Sequence, residues 1–191
     1  MQLSQNAIDL VRESFSALRE VAFILTPSED GGRVLQPGKV RWGTGDEVSL
    51  PVSEITLHTH PMKCTNYCTQ TRCHRDRKSC AVGVPSSTDM SLTLRLGLTK
   101  GLRTHVIPSR QHGVFVVHFH PAAIDSLHKV CAFSNVSFTD AATALSDSLF
   151  RKLDALEDEF DDMFEETTYA AWTAKWRRRV QTPGVRLFGK P

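Results

Sequence analysis

Short apolar runs and longer stripes at helical spacing divide the chain between them. Ile8, Leu10, Val11, Phe15 and Leu18 recur at steps that put them on one helical face, predicting a helix over 6–18 with Ser4 or Asn6 as its cap. Residues 20–25 follow as a continuous apolar run after Glu20, bounded by Thr26-Pro27 and Gly31-Gly32, and read as a buried strand. A second strand is expected over 33–42, interrupted at Pro37-Gly38, and a third over 48–60. Residues 61–85 have no periodicity and read as an irregular insertion. From Met90 to Leu98 the apolar positions alternate like a strand, but P-S-S-T-D opens helices. Ser86 or Ser87 can cap, Asp89 suits the positive end of the dipole, and Lys100-Gly101 is a stop, so a helix is expected. Two strands over 102–108 and 113–120 come next, then helix from Pro121. Ala142, Leu145, Leu149, Leu153, Leu156, Phe160 and Met163 form one narrow stripe on a long helix. Residues 154–166 carry eight acids and 175–179 are basic, which fits either a helix macrodipole or a solvated face. The last ten residues read as loop.

This mixture predicts an α/β or α+β domain over 1–135, with residues 61–85 inserted in it, and a helical C-terminal extension over 136–191. With 191 residues, 40% of them hydrophobic, one sizeable core is within reach. A net charge of +2 points to neither nucleic acid nor membrane through the global field. No apolar run approaches the length of a membrane span, and the N-terminus lacks the basic and apolar regions of a secretory signal. An intracellular setting, cytoplasmic or nuclear, is therefore expected, in which thiols stay reduced.

Cysteine usage changes the picture. Cys64, Cys68, Cys73 and Cys80 fall within 17 residues, with His74 among them, and Cys131 stands apart. In a reducing compartment such a cluster reads as a possible structural zinc site, four of the five ligands closing a tetrahedron. Disulfides, or reactive thiols in a loop, are the alternatives. The nearby Lys63, Arg72, Arg75, Arg77 and Lys78 would suit phosphates, but Tyr67 is the lone stacking platform there, so a nucleic-acid-binding module is the third choice of function.

The strongest chemical signal flanks that insertion. His58 and His60 end a β-branched run, and alternation along a strand puts both on one face. Asp89 enters at the following helix start. Two imidazoles and a carboxylate are a typical catalytic zinc set with a fourth position left for water. Hydrolysis would also need a general base. Glu54 shares the face of His58 but lies about 13 Å away at strand rise. Glu20 heads an apolar strand, where a carboxylate needs a reason; water activation and a solvated strand end both supply one. A second H-x-H-P, His118 to Pro121, is followed by a loose S-x-x-D, Ser137 to Asp140. It lacks a proline before that serine and sits on the strand G-V-F-V-V. The first site is preferred. A nucleoside deaminase would need H-x-E and P-C-x-x-C, and neither occurs.

E-V-A-F-I-L after a helix, then H-T-H-P, then P-S-x-x-D at a helix start together resemble the JAB/MPN/JAMM metalloproteases over about residues 5–120. The resemblance implies an MPN-like fold, a mixed curved sheet flanked by helices. It implies His58, His60 and Asp89 as ligands of a catalytic zinc, Glu20 as general base and acid, and Ser86 as a donor to the tetrahedral oxyanion. It further implies an isopeptidase or peptidase acting on ubiquitin or ubiquitin-like conjugates. Its alternative is a non-catalytic MPN-type scaffold. Here 25 residues, Pro61 to Pro85, separate the two halves of a motif that is normally compact, so the ends of the insertion must meet. The insertion suggests a loop shaping access to the site, and a viral or otherwise divergent member. The helix over 138–179, with Trp172 and Trp176, is a candidate surface for a protein partner or self-association, or it packs back on the domain.

Overall fold

The computed structural model describes residues 2–29, 34–44, 47–61, 85–110, 113–163 and 185–188, with 156–163 and 185–188 described by their backbone. The architecture is mixed α/β. The strands are β1 (Gln2–Leu3), β2 (Val21–Pro27), β3 (Val34–Trp42), β4 (Ile55–His58), β5 (Thr104–Ser109), β6 (Gly113–Phe119) and β7 (Val185–Phe188). The helices among the described residues are α1 (Gln5–Ala17), α2 (Ser87–Thr99), α3 (Pro121–Ser134) and α4 (Phe138–Met163). Among the described residues all strands join one sheet, in the order β1-β3-β2-β4-β5-β6-β7. β4 and β5 are parallel neighbours, and the chain between them carries α2, as a crossover between parallel strands requires.

Alternation assigns each face its own cover. Val21, Phe23, Leu25, Leu35 and Leu57 point to one face and form a core with Ala7 of α1, against which Leu10 and Val11 also pack. On the opposite face lie Ala22, His58 and His105, all fully or almost fully buried. Val117 pairs with His105, so Phe115, Val117 and Phe119 share that second face. Phe119 reaches α2 there: a Cβ added at Gly97 would come within 2.6 Å of its ring, so the helix approaches the sheet only because Gly97 has none. α4 lies along α2 on its outer side.

Several elements differ in extent from the reading of the sequence. The third strand is short: residues 48–54 are not strand, because the ladder with β2 begins at Thr56 and that with β5 at Ile55. Pro37-Gly38 does not interrupt β3. The register slips by one residue between the Phe23–Val40 and Leu25–Pro37 pairs, a bulge that absorbs the proline. The tail expected as loop contributes β7, hydrogen-bonded antiparallel to β6. On α4 the buried stripe runs Ala142, Ser146, Leu149, Leu153, while Leu145 is exposed. Helix spacing allowed either serine or leucine to face inward, and the smaller one is buried. Cys64, Cys68, Cys73, His74 and Cys80 lie outside the described residues, as do Trp172 and Trp176. No helix of the described residues is long and apolar enough to cross a membrane.

Candidate metal centre

β4 carries His58 to the middle of the sheet and then divides. Thr59 turns to β2, where its amide donates to the Val21 carbonyl at 3.0 Å. His60 turns to β5, donating to the Pro108 carbonyl at 2.8 Å and accepting from Arg110 N at 3.0 Å. Thr59 is also a hub. Val21 N donates to its Oγ1 at 3.0 Å, and Ser14 Oγ lies 2.5 Å from the same atom. The Ser14 proton goes to the Arg19 carbonyl at 2.6 Å, so the Thr59 hydroxyl is the donor to Ser14. One threonine thus ties the end of α1, the start of β2 and the histidine pair together.

The third member comes from α2. Ser86 is its N-cap and Asp89 its third residue, and together they form a capping box. Asp89 N donates to Ser86 Oγ at 3.1 Å. Ser86 N and Oγ each donate to Asp89 Oδ2 at 2.8 Å. The S-x-x-D spacing is therefore a helix-capping device whose by-product is a carboxylate in one fixed orientation. Held this way, Asp89 places Oδ1 3.4 Å from His58 Nε2 and Oδ2 3.2 Å from His60 Nε2. The two Nε2 atoms are 2.8 Å apart. The ends of the 25-residue gap therefore do meet, and Pro61 and Pro85 at its two ends are both buried.

His58, His60 and Asp89 offer ligand atoms within 4.8 Å of one another and could hold a metal ion. The donor set fits a borderline cation such as zinc. Ligands about 2.0–2.1 Å from a tetrahedral ion sit roughly 3.3 Å apart, which the two carboxylate contacts match and from which the imidazole pair departs by about half an ångström. Burial lowers the pKa of His58, outweighing the attraction of Asp89. Burial alone would raise Asp89, but the charges and hydrogen bonds of His58 and His60 override it and hold the carboxyl well below its ordinary value. A cation would take these residues as neutral imidazoles and an ionised carboxylate. The side chain of Asp89 is 23% exposed against 2% for His58, so the centre opens to solvent on the helix side.

Glu20 is buried at 7% exposure, directly before β2. Its amide donates to the Thr44 carbonyl at 2.6 Å and its carbonyl accepts from Gly43 N at 2.9 Å. The β2–β4 ladder ends at Ala22–His58, two residues after Glu20, and His60 bridges to Ser109 of β5. Glu54 is exposed, and its carbonyl serves β5 through Arg103 N and Thr104 N. Of the rival pair, His118 is exposed on β6 with Nδ1 3.0 Å from Thr104 Oγ1, and His120 caps α3 through Ala122 N. Among the described residues no ligand group forms around them.

One residue of the centre escaped the sequence reading. His105, fully buried on β5, stacks on His58 with ring centroids 4.8 Å apart. Its Nε2 is 2.7 Å from His58 Nδ1 and its Nδ1 is 2.7 Å from Thr56 Oγ1. Burial, then the neighbouring His58, push its pKa well down. The available signal was a histidine inside the apolar strand run T-H-V-I-P. No protein-family model matches this chain, and no curated protein matches it either. What the site can do has to be read from its own residues.

Proposed function

We propose that this chain is a zinc-dependent isopeptidase or peptidase of JAB/MPN/JAMM type, acting on ubiquitin or ubiquitin-like conjugates. The observation that carries the reading is the meeting of His58, His60 and Asp89 at one partly open point, from two separated stretches of sequence. A Glu20 buried directly before β2 supports it further. Zinc, when bound, supplies Lewis acidity and makes water acidic enough to lose its proton near neutral pH.

His58 and His60 present nitrogens from a rigid strand end, and Asp89 supplies the negative charge. Glu20 takes the proton of the attacking water and delivers it to the leaving amine nitrogen, acting in turn as base and acid. Ser86 keeps Asp89 aimed through the capping box, and in this reading its hydroxyl turns to the developing oxyanion when substrate is present.

The test is Glu20→Gln, assayed on ubiquitin chains together with metal analysis. The expected outcome is loss of cleavage by about 100- to 10,000-fold with zinc retained. Wild-type protein that binds zinc and cleaves no conjugate would argue for a scaffold instead. Unchanged cleavage in Glu20→Gln would remove Glu20 from the mechanism.

A further inference from the structure

Two nitrogens of His58 face two different environments. Nε2 faces His60 and Asp89, and Nδ1 faces His105 Nε2 at 2.7 Å. A neutral imidazole has one N–H and one lone pair, so the side that binds a cation is decided by what the other side meets. His105 is held in turn by Thr56 Oγ1 at 2.7 Å, and Thr56 lies beside it as its register partner on β4. This row of Thr56, His105 and His58 runs across two central strands on the buried face behind the ligands. A buried histidine there costs polar burial, and the row gives both its nitrogens a partner.

We infer that His105 is the positioning residue of the centre. It accepts the Nδ1 proton of His58 and thereby presents the Nε2 lone pair to the cation. Its own Nδ1–H then goes to Thr56 Oγ1, so both ring nitrogens of His105 have a partner. This inference rests on the metal reading of His58, His60 and Asp89. It adds that ligand orientation is fixed by a third histidine, from a strand outside the H-T-H-P and S-x-x-D motifs. Partners of this kind typically change metal affinity by about 10- to 100-fold when removed.

The experiment uses the full chain labelled with 15N-histidine, alone and with zinc, read by imidazole nitrogen NMR, with zinc affinity measured against a competing chelator. In the zinc-loaded wild type, His58 should carry its proton on Nδ1 and bind through Nε2, and His105 should be protonated on Nδ1. His105→Phe should weaken zinc about 10- to 100-fold, and His105→Gln, whose amide oxygen accepts from the same N–H, should recover most of that loss. Protonation of His58 on Nε2 in the zinc-loaded protein overturns the inference, a result readable even if His105→Phe fails to fold. So does zinc affinity of a folded His105→Phe within about twofold of wild type. A wild type that takes up no zinc while His58 remains protonated on Nδ1 overturns the metal reading and leaves the tautomer assignment standing.

Discussion

H-x-H-P occurs twice in this chain, and the two copies face opposite sides of one sheet. In the first, both histidines and the carboxylate meet, and the middle residue Thr59 serves as a hydrogen-bond hub. In the second, the middle residue Phe119 takes the buried face at 3% exposure, which turns His118 out to solvent. His120 has already left the strand and caps α3. The same four-letter pattern thus yields two histidines gathered beside a carboxylate in one place and a strand end with a helix cap in the other. The difference lies in the middle residue and in what covers the sheet. α2 starts beside β4 with a capped Asp89, whereas among the described residues no carboxylate joins the second pair.

The comparison can be broken at its largest effect by swapping which pair is disabled. His60→Ala or Asp89→Ala should weaken zinc by more than about 100-fold, exceeding the loss typical of an outer partner. His118→Ala combined with His120→Ala should leave zinc affinity within about twofold, as expected when the contacts removed lie away from the centre. A reversed pattern would transfer the centre to the second motif.

The middle residues give the next contrast. Phe119→Ala should cost about 3–5 kcal/mol of stability by opening a cavity against Gly97, with zinc affinity intact in the folded fraction. Thr59→Val should cost less, about 1–3 kcal/mol, from orphaning Val21 N and the Ser14 contact. Unlike Phe119→Ala, it should also lower zinc affinity, because it releases the histidine pair. Urea midpoints and chelator competition on both variants read the two effects separately.

The smallest contrast is in pH. Burial lowers the folded pKa of both His58 and His105. In metal-free protein, the unfolded chain therefore takes up protons that the folded chain refuses below about 6.5. The stabilising contribution of these histidines is present above that value and is lost as pH falls through their lowered folded pKa values. The loss is at most about 1.4 kcal/mol per pH unit for each histidine. Asp89, also lowered, adds its own loss only in stronger acid, below the ordinary carboxylate range. A metal-free urea midpoint that stays flat from pH 7 to 5 would contradict the buried neutral state of the pair.

Much of this was legible in residue order. The 3.6-residue stripe of α1, the apolar run of β2 and the capping signature of α2 are local patterns, and each appears as the element it predicts. The grouping of His58, His60 and Asp89 was legible because strand alternation and helix capping both act within a few residues. His105 was not, because its role depends on the parallel pairing of β4 with β5, separated in sequence by α2 and the insertion. The inward turn of Ser146 in place of Leu145 was equally hidden, since only the facing helix decides which side of α4 is buried. β7 was missed because an edge strand of four residues gains its ladder from β6 and carries little pattern of its own.

Anomalous diffraction at the zinc edge from crystals of the zinc-loaded full chain tests the central claim most directly. The account predicts a peak bonded to His58 Nε2, His60 Nε2 and an Asp89 carboxylate oxygen, with His105 behind His58 and no peak at His118 or His120. Absence of zinc between His58, His60 and Asp89, or a peak at the second motif instead, would contradict it.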